Sequence, residues 1–132
     1  MRVVICGNLK LKEKLDYWKN YFERHNYEIM DYPREVTKSK LMEIYPITWR
    51  EFYSNIKLSD MVFVMNEDCK GVEGYIGSEV FAELAYGLSL KLVDKKNIDL
   101  VLLKMPDKSV ACYDDIKLWL DLGWIRLFEE EI

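Results

Sequence analysis

Histidine is nearly missing from this chain. His25 is the only one, and no CxxC or Cys/His cluster accompanies it. A structural zinc site needs closely spaced nitrogen and sulfur ligands, so none is expected, nor any other metal. The cysteines Cys6, Cys69 and Cys112 are odd in number and widely spaced, which leaves no disulfide framework. A reducing, cytoplasmic setting is the expectation. Positive charge is in deficit: 19 Lys and Arg face 23 Asp and Glu, for a net charge of −4. The basic face that a nucleic-acid polymer requires is therefore missing. A single nucleotide stays possible, because backbone N–H groups can hold a phosphate. No apolar run approaches the length of a transmembrane helix, so no membrane partner is expected. The stretch MRVVICG is too short for a signal h-region and runs straight into a strand-like pattern. Neither GxGxxG nor GxxxxGK[ST] occurs, which disfavours dinucleotide and P-loop readings. There is no internal repeat or low-complexity segment, so residues 1–132 read as a single domain.

What remains is a chain that is 50% hydrophobic, enough for a sizeable core. Val3-Val4-Ile5-Cys6 is a short apolar run stopped by Gly7 and reads as a buried strand, central in a parallel sheet. Leu11, Leu15, Trp18 and Phe22 recur at helical spacing with lysines and glutamate between them, so a helix runs to about His25-Asn26. His25 reads as a helix C-terminal residue rather than a catalytic base. Tyr27 to Met30 is a second strand. Asp31 to Tyr45, with Pro33 inside and Pro46 just beyond, reads as an irregular or mobile connection with room for one helical turn. Thr48 with Glu51 three residues on forms a capping-box pattern for a helix through Trp49, Phe52, Tyr53 and Ile56. Met61 to Met65 is the third strand. A helix from Ser78 presents Phe81, Leu84, Ala85 and Leu88 as one stripe. Asp99 to Leu103 is a fourth strand, Asp114 to Leu122 a last helix stopped by Gly123, and Trp124 to Phe128 a final strand. The acidic run Glu129 to Glu131 is expected to be solvated.

Strands alternating with helices predict an α/β fold: one doubly wound, mostly parallel five-stranded sheet with helices on both faces, Rossmann- or flavodoxin-like. In such sheets ligands lie beyond the carboxyl ends of the strands. Gly7-Asn8-Leu9-Lys10 and the loop from Asn66 to Gly77 both leave strand ends and should border one crevice. Gly7 lets a ligand approach the backbone closely, or simply makes a turn. Gly71, Gly74 and Gly77 precede Ser78, a good N-cap whose neighbouring free N–H groups could also hold an anion. Glu79 and Glu83 are four residues apart and share one side of the helix. Glu79 suits the helix dipole, or a ligand hydroxyl. Glu83 lies between Ala82 and Leu84, beside an apolar stripe. It is either a stripe-edge glutamate paired or solvated, or a carboxylate held for chemistry. The cysteines read as buried fillers, and Cys69 has no base beside it to make a nucleophile.

ICGNLK, SDMVFVMN and YIGSEVFAELAYGL together resemble the nucleoside 2-deoxyribosyltransferase-like superfamily, which includes deoxynucleoside 5′-monophosphate N-glycosidases. The resemblance spans roughly residues 2 to 92. Its most specific element is the spacing from Gly77 to Glu83, followed by Leu84-Ala85-Tyr86-Gly87. The resemblance implies a doubly wound fold, a homo-oligomer (dimer or higher) and a small nucleoside or nucleotide as ligand, with no cofactor. It implies that Glu83 is the nucleophile at C1′ of the sugar. Gly7, Asn8 and Leu9 would line base and sugar, with Asn66 and Tyr75 in the same crevice. Gly77 and Ser78 would receive the 5′ end, where a phosphate could sit on the N–H groups, and Glu79 is a ligand contact or an assisting group. The family's supporting aspartate aligns with Phe52 or, after a one-residue shift, with Glu51, which is the expected assisting acid. Leu9 replaces the tyrosine common in the first loop. A non-catalytic nucleotide-binding or sensing module on the same fold is the alternative. The aromatic residues Trp18, Tyr21, Trp49, Tyr53, Trp119 and Trp124 exceed what one small core easily hides, which also favours an oligomer.

Overall fold

Val3 to Cys6, Met61 to Met65 and Leu100 to Leu102 are short apolar runs buried on both faces, the signature of a parallel sheet covered by helices. The computed structural model describes residues 1–130. In it, Arg2–Gly7 forms β1, Glu28–Asp31 β2, Met61–Met65 β3, Asp99–Leu102 β4 and Arg126–Leu127 β5. The helices are Lys12–Arg24 (α1), Leu41–Leu58 (α2), Ser78–Leu92 (α3) and Tyr113–Asp121 (α4), with a 3-10 turn at Lys38–Lys40. The sheet order is β2-β1-β3-β4-β5 and every pairing is parallel. The expected five-stranded doubly wound fold is present, and wholly rather than mostly parallel.

The period of two along each strand sends alternate residues to opposite layers. Val3, Ile5, Met61, Phe63, Met65 and Val101 pack against Leu15, Trp18, Tyr21 and Phe22 of α1. Val4, Cys6, Val62, Val64, Leu100 and Leu102 pack under Phe52, Ile56, Leu84, Leu88 and Ile116 of the other helices. The layers are thus unequal, one helix against three. Trp18 is the hub of the α1 layer, with Phe63 at 4.9 Å and Phe128 at 5.2 Å between ring centroids. Its indole N–H donates to Glu67 at 3.0 Å. Trp18 and Tyr21 are therefore core residues, not surplus surface.

Three expectations need correction. First, α2 begins at Leu41, not after Thr48, and carries Pro46 inside it. Proline lacks the N–H that would bond the Met42 carbonyl, a loss of about 3 kcal/mol in a helix interior. Both residues are exposed, so water can serve that carbonyl. Thr48 consequently caps nothing: the N-cap is Lys40, with no side-chain bond. Second, α3 is capped by Gly77, and Ser78 is its first helical residue. Third, the last strand shrinks to Arg126–Leu127, paired only at Val101 and Leu102. Glu129 and Glu130 are exposed, whereas Glu131 lies outside the described residues. Among the described residues no helix is long and apolar enough to cross a membrane.

Candidate active site at the switch point

The order β2-β1-β3 means the chain leaves β1 toward one edge and β3 toward the other. The loops after these two strands diverge and open a crevice. Gly7 and Met65, the last residues of β1 and β3, lie side by side in the register. A side chain at position 7 would meet the Met65 Cε at 2.9 Å, so glycine lets the two strand ends close up.

Above them lies a cleft of about 620 Å³. The residues singled out from sequence, Gly7, Asn8, Leu9, Asn66, Tyr75, Gly77, Ser78, Glu79 and Glu83, all line it. Glu51 does not: it is exposed on α2, and Phe52 is the residue that α2 turns into the cleft at this level. On α2 the lining residues Tyr45, Trp49, Phe52 and Tyr53 share one side of the helix, and Glu51 falls outside it.

Several of these residues are structurally engaged. Asn66 is buried, its Nδ2 donating to the carbonyls of Lys104 at 2.7 Å and Gly74 at 3.2 Å. Its Oδ1 accepts from the Lys104 N–H at 3.3 Å. The Asn66 amide thus ties the loop after β3 to the one after β4. Asn8 accepts from the Lys10 N–H at 2.9 Å and donates to the Cys69 sulfur at 3.4 Å, bridging the two loops that flank the cleft.

Sequence reasoning missed the opposite wall. It consists of Tyr32 and Arg34 after β2, and Tyr45, Trp49, Phe52 and Tyr53 of α2. Trp49 stacks on Tyr53 with centroids 3.8 Å apart and planes 18° from parallel. The signal was available: Tyr45, Trp49, Phe52 and Tyr53 fall four, three and one apart, a helical face that continues through Pro46. Arg34 is held by buried Asp31 at 3.1 Å. Asp31 also accepts from the Tyr32 N–H at 2.8 Å and from Asn55 at 2.9 Å. Tyr45 donates to Glu79 at 3.3 Å, linking α2 to the first turn of α3.

Glu83 is the electrostatic centre. Burial pushes its carboxyl from an ordinary 4.5 up to about 7. A hydrogen bond from the Cys6 thiol beneath it works in the opposite direction, and the charges of Glu79 and Asp31 add to the rise. Cys6 is fully buried, and its thiol is pushed well up by that burial and by Glu83. Tyr53 is raised to about 12, again by burial and then by Glu83, so its hydroxyl stays protonated as a donor. No group of three or more His, Cys, Asp or Glu side chains among the described residues could hold a metal ion.

This arrangement fixes a pH dependence of stability. Folding raises the Glu83 pKa, so the native state holds its proton more tightly than the unfolded chain. The resulting stabilisation is complete below about pH 4.5 and is lost as pH rises through about 7, a change of about 3 kcal/mol. Urea denaturation at pH 5 and pH 8 should show this fall in wild type and a much flatter profile in Glu83→Gln. An equal slope in both proteins would assign the effect elsewhere.

Chemically, the cleft offers one partly buried carboxylate at its floor, aromatic side walls and a helix N-terminus at its rim. No protein-family model matches the chain, and no curated protein matches it.

Proposed function

We propose that the cleft binds a (deoxy)nucleoside or its 5′-monophosphate, and that Glu83 cleaves or exchanges the N-glycosidic bond. The single observation that carries this reading is the Glu83 carboxylate, lodged over Cys6 in a cleft of about 620 Å³ with an aromatic wall. In its ionised form a Glu83 oxygen donates a lone pair to C1′ as the C1′–N bond breaks. The base leaves with the bonding electrons and takes a proton from solvent. The glycosyl ester then passes to water, releasing sugar, or to a second base. The transition state is oxocarbenium-like, and the nearby carboxylate stabilises its positive charge. No cofactor is needed for this sequence.

Incubation with a panel of nucleosides and 5′-monophosphates, with free base read by chromatography, tests the reading. Because the attacking form is ionised and the Glu83 pKa is about 7, the rate should rise with pH and level off above about pH 8. A rate that instead falls through pH 7 would make Glu83 a general acid and not the nucleophile.

A second reading has its own support. Phe52, not a carboxylate, faces the cleft where an assisting acid would stand, and Glu51 points elsewhere. A nucleotide-binding or sensing module that lacks turnover fits that substitution. It predicts ligand affinity by calorimetry with no base released.

The protein is further proposed to act as a homo-oligomer. The first half of α2 exposes Leu41, Met42, Ile44, Ile47 and Trp49 together, with Met42 88% accessible. Such a patch favours burial against another surface. Light scattering should give a mass of at least twice 15.8 kDa, and a monomeric mass would overturn the proposal.

A further inference from the structure

The ionisable groups around the cleft bear on a choice that the proposed function leaves open. Besides tyrosines, the charged side chains lining it are Arg34, Glu79 and Glu83. No lysine lines it. Arg34 is the one cation, and its guanidinium is already paired with the Asp31 carboxylate, whose side chain is only 4% accessible. The contact runs from the Arg34 Nε, and its acceptor Asp31 is fixed in place by bonds from Asn55 and the Tyr32 N–H.

The α3 N-terminus, where an anion would otherwise seat, is also altered. Glu79 stands in its first turn and complements the positive end of the helix. Tyr45 holds that carboxylate at 3.3 Å, toward the cleft. Glu79 and Glu83 lie one helical turn apart on α3, and Glu79 contributes to the raised Glu83 pKa, so the two charges feel each other along the same wall of the cleft. The Tyr75 ring lies over Gly77, 3.6 Å from where a Cβ would project, and narrows access to the helix start. A dianionic phosphate placed there would meet the Glu79 carboxylate, with the partly ionised Glu83 one turn further along, and among the described residues no lining cation other than Arg34, which is already bonded to Asp31. A hydroxyl placed there would find an acceptor in Glu79.

We infer that the cleft selects an uncharged nucleoside over its 5′-monophosphate, and that Glu79 is the specificity residue, accepting a hydrogen bond from the 5′-hydroxyl and repelling a 5′-phosphate. This rests on the nucleoside-binding reading of the cleft but not on turnover.

The test uses the full chain carrying Glu83→Gln, so that ligands are not consumed, with calorimetric affinities for a nucleoside series and the matching 5′-monophosphates. Nucleosides should bind at least about 10-fold more tightly than monophosphates, the scale of one lost or repulsive contact. Adding Glu79→Gln should shrink that ratio several-fold, by strengthening monophosphate binding. Glu79 is exposed, so the substitution leaves the core intact. Arg34→Ala should leave the ratio unchanged. Monophosphates binding as well as nucleosides, a ratio indifferent to Glu79→Gln, or monophosphate affinity that collapses in Arg34→Ala would each overturn the inference while leaving the nucleoside reading standing. Nucleoside-selective binding by a wild-type protein that releases no base would sustain the inference and remove the catalytic reading. Binding of neither ligand would overturn both.

Discussion

Glutamine in place of Glu83 is expected to reduce base release by about 10⁴-fold or more, the scale seen when a covalent nucleophile is removed. The same variant should be no less stable than wild type at neutral pH, and more stable above it. The carboxyl is partly buried, and its raised pKa of about 7 records what ionisation costs there. Glutamine keeps the shape and never ionises. It gives up only the bond from the Cys6 thiol to a charged acceptor. Activity lost and melting temperature gained, in one substitution, would separate a functional carboxylate from a structural one. Base release by Glu83→Gln within 10-fold of wild type would remove Glu83 from the chemistry. A marked drop in stability would show instead that the carboxylate holds α3 onto the sheet.

The largest structural effect is expected at Gly74. Its φ is +61°, and an added Cβ would come within 2.7 Å of the Met105 carbonyl oxygen and 2.9 Å of the Pro106 Cα. Both obstacles are backbone and cannot rotate away. Gly74→Ala should therefore cost about 2–4 kcal/mol, combining left-handed strain with overpacking. Gly71 is the internal control. Its φ is +75°, but nothing stands within 4 Å of its added Cβ, so Gly71→Ala should cost only about 1 kcal/mol. Urea midpoints of the two variants measure the difference. Because Asn66 donates to the Gly74 carbonyl and Asp68 accepts from the Gly74 N–H, the distortion should also reach the cleft. Equal losses at the two glycines would mean that the loop after β4 yields and the contact with Met105 is soft.

The centre of the sheet was legible because its strands are short apolar runs, and MVFVM is buried at every position; the edge strand Arg126–Leu127 is exposed and shorter than its sequence implies. The shared crevice followed from strand order alone, since loops leaving parallel strands must emerge at the same edge. Glu83 stood out because its neighbours Leu84 and Leu88 are buried while it carries a charge. Helix α2 was obscured for a physical reason. Pro46 normally ends a helix, and the residues before it are apolar yet exposed, so neither propensity nor burial logic marks them. The hidden half of α2 supplies Tyr45 to the cleft wall, so one proline concealed part of the site. Arg34 and Asp31 were hidden differently: their pairing depends on how the chain turns after β2, which no spacing in the sequence encodes.

The placement of β3 beside β1 also governs how the protein is made. The Arg2 N–H bonds the Asp60 carboxylate, 58 positions further along the sequence, and the whole central ladder is of that long-range kind. No local hairpin can template it, so the chain must close a long loop before the middle of the sheet can zip, and folding is expected to be slow for its size. The floor of the cleft lies at the paired ends of those two strands, Gly7 and Met65. A nascent chain that has not yet extruded β3 already carries the aromatic wall of the cleft but neither Glu83 nor the strand that holds the two walls together, so the cleft is complete only after that long loop has closed.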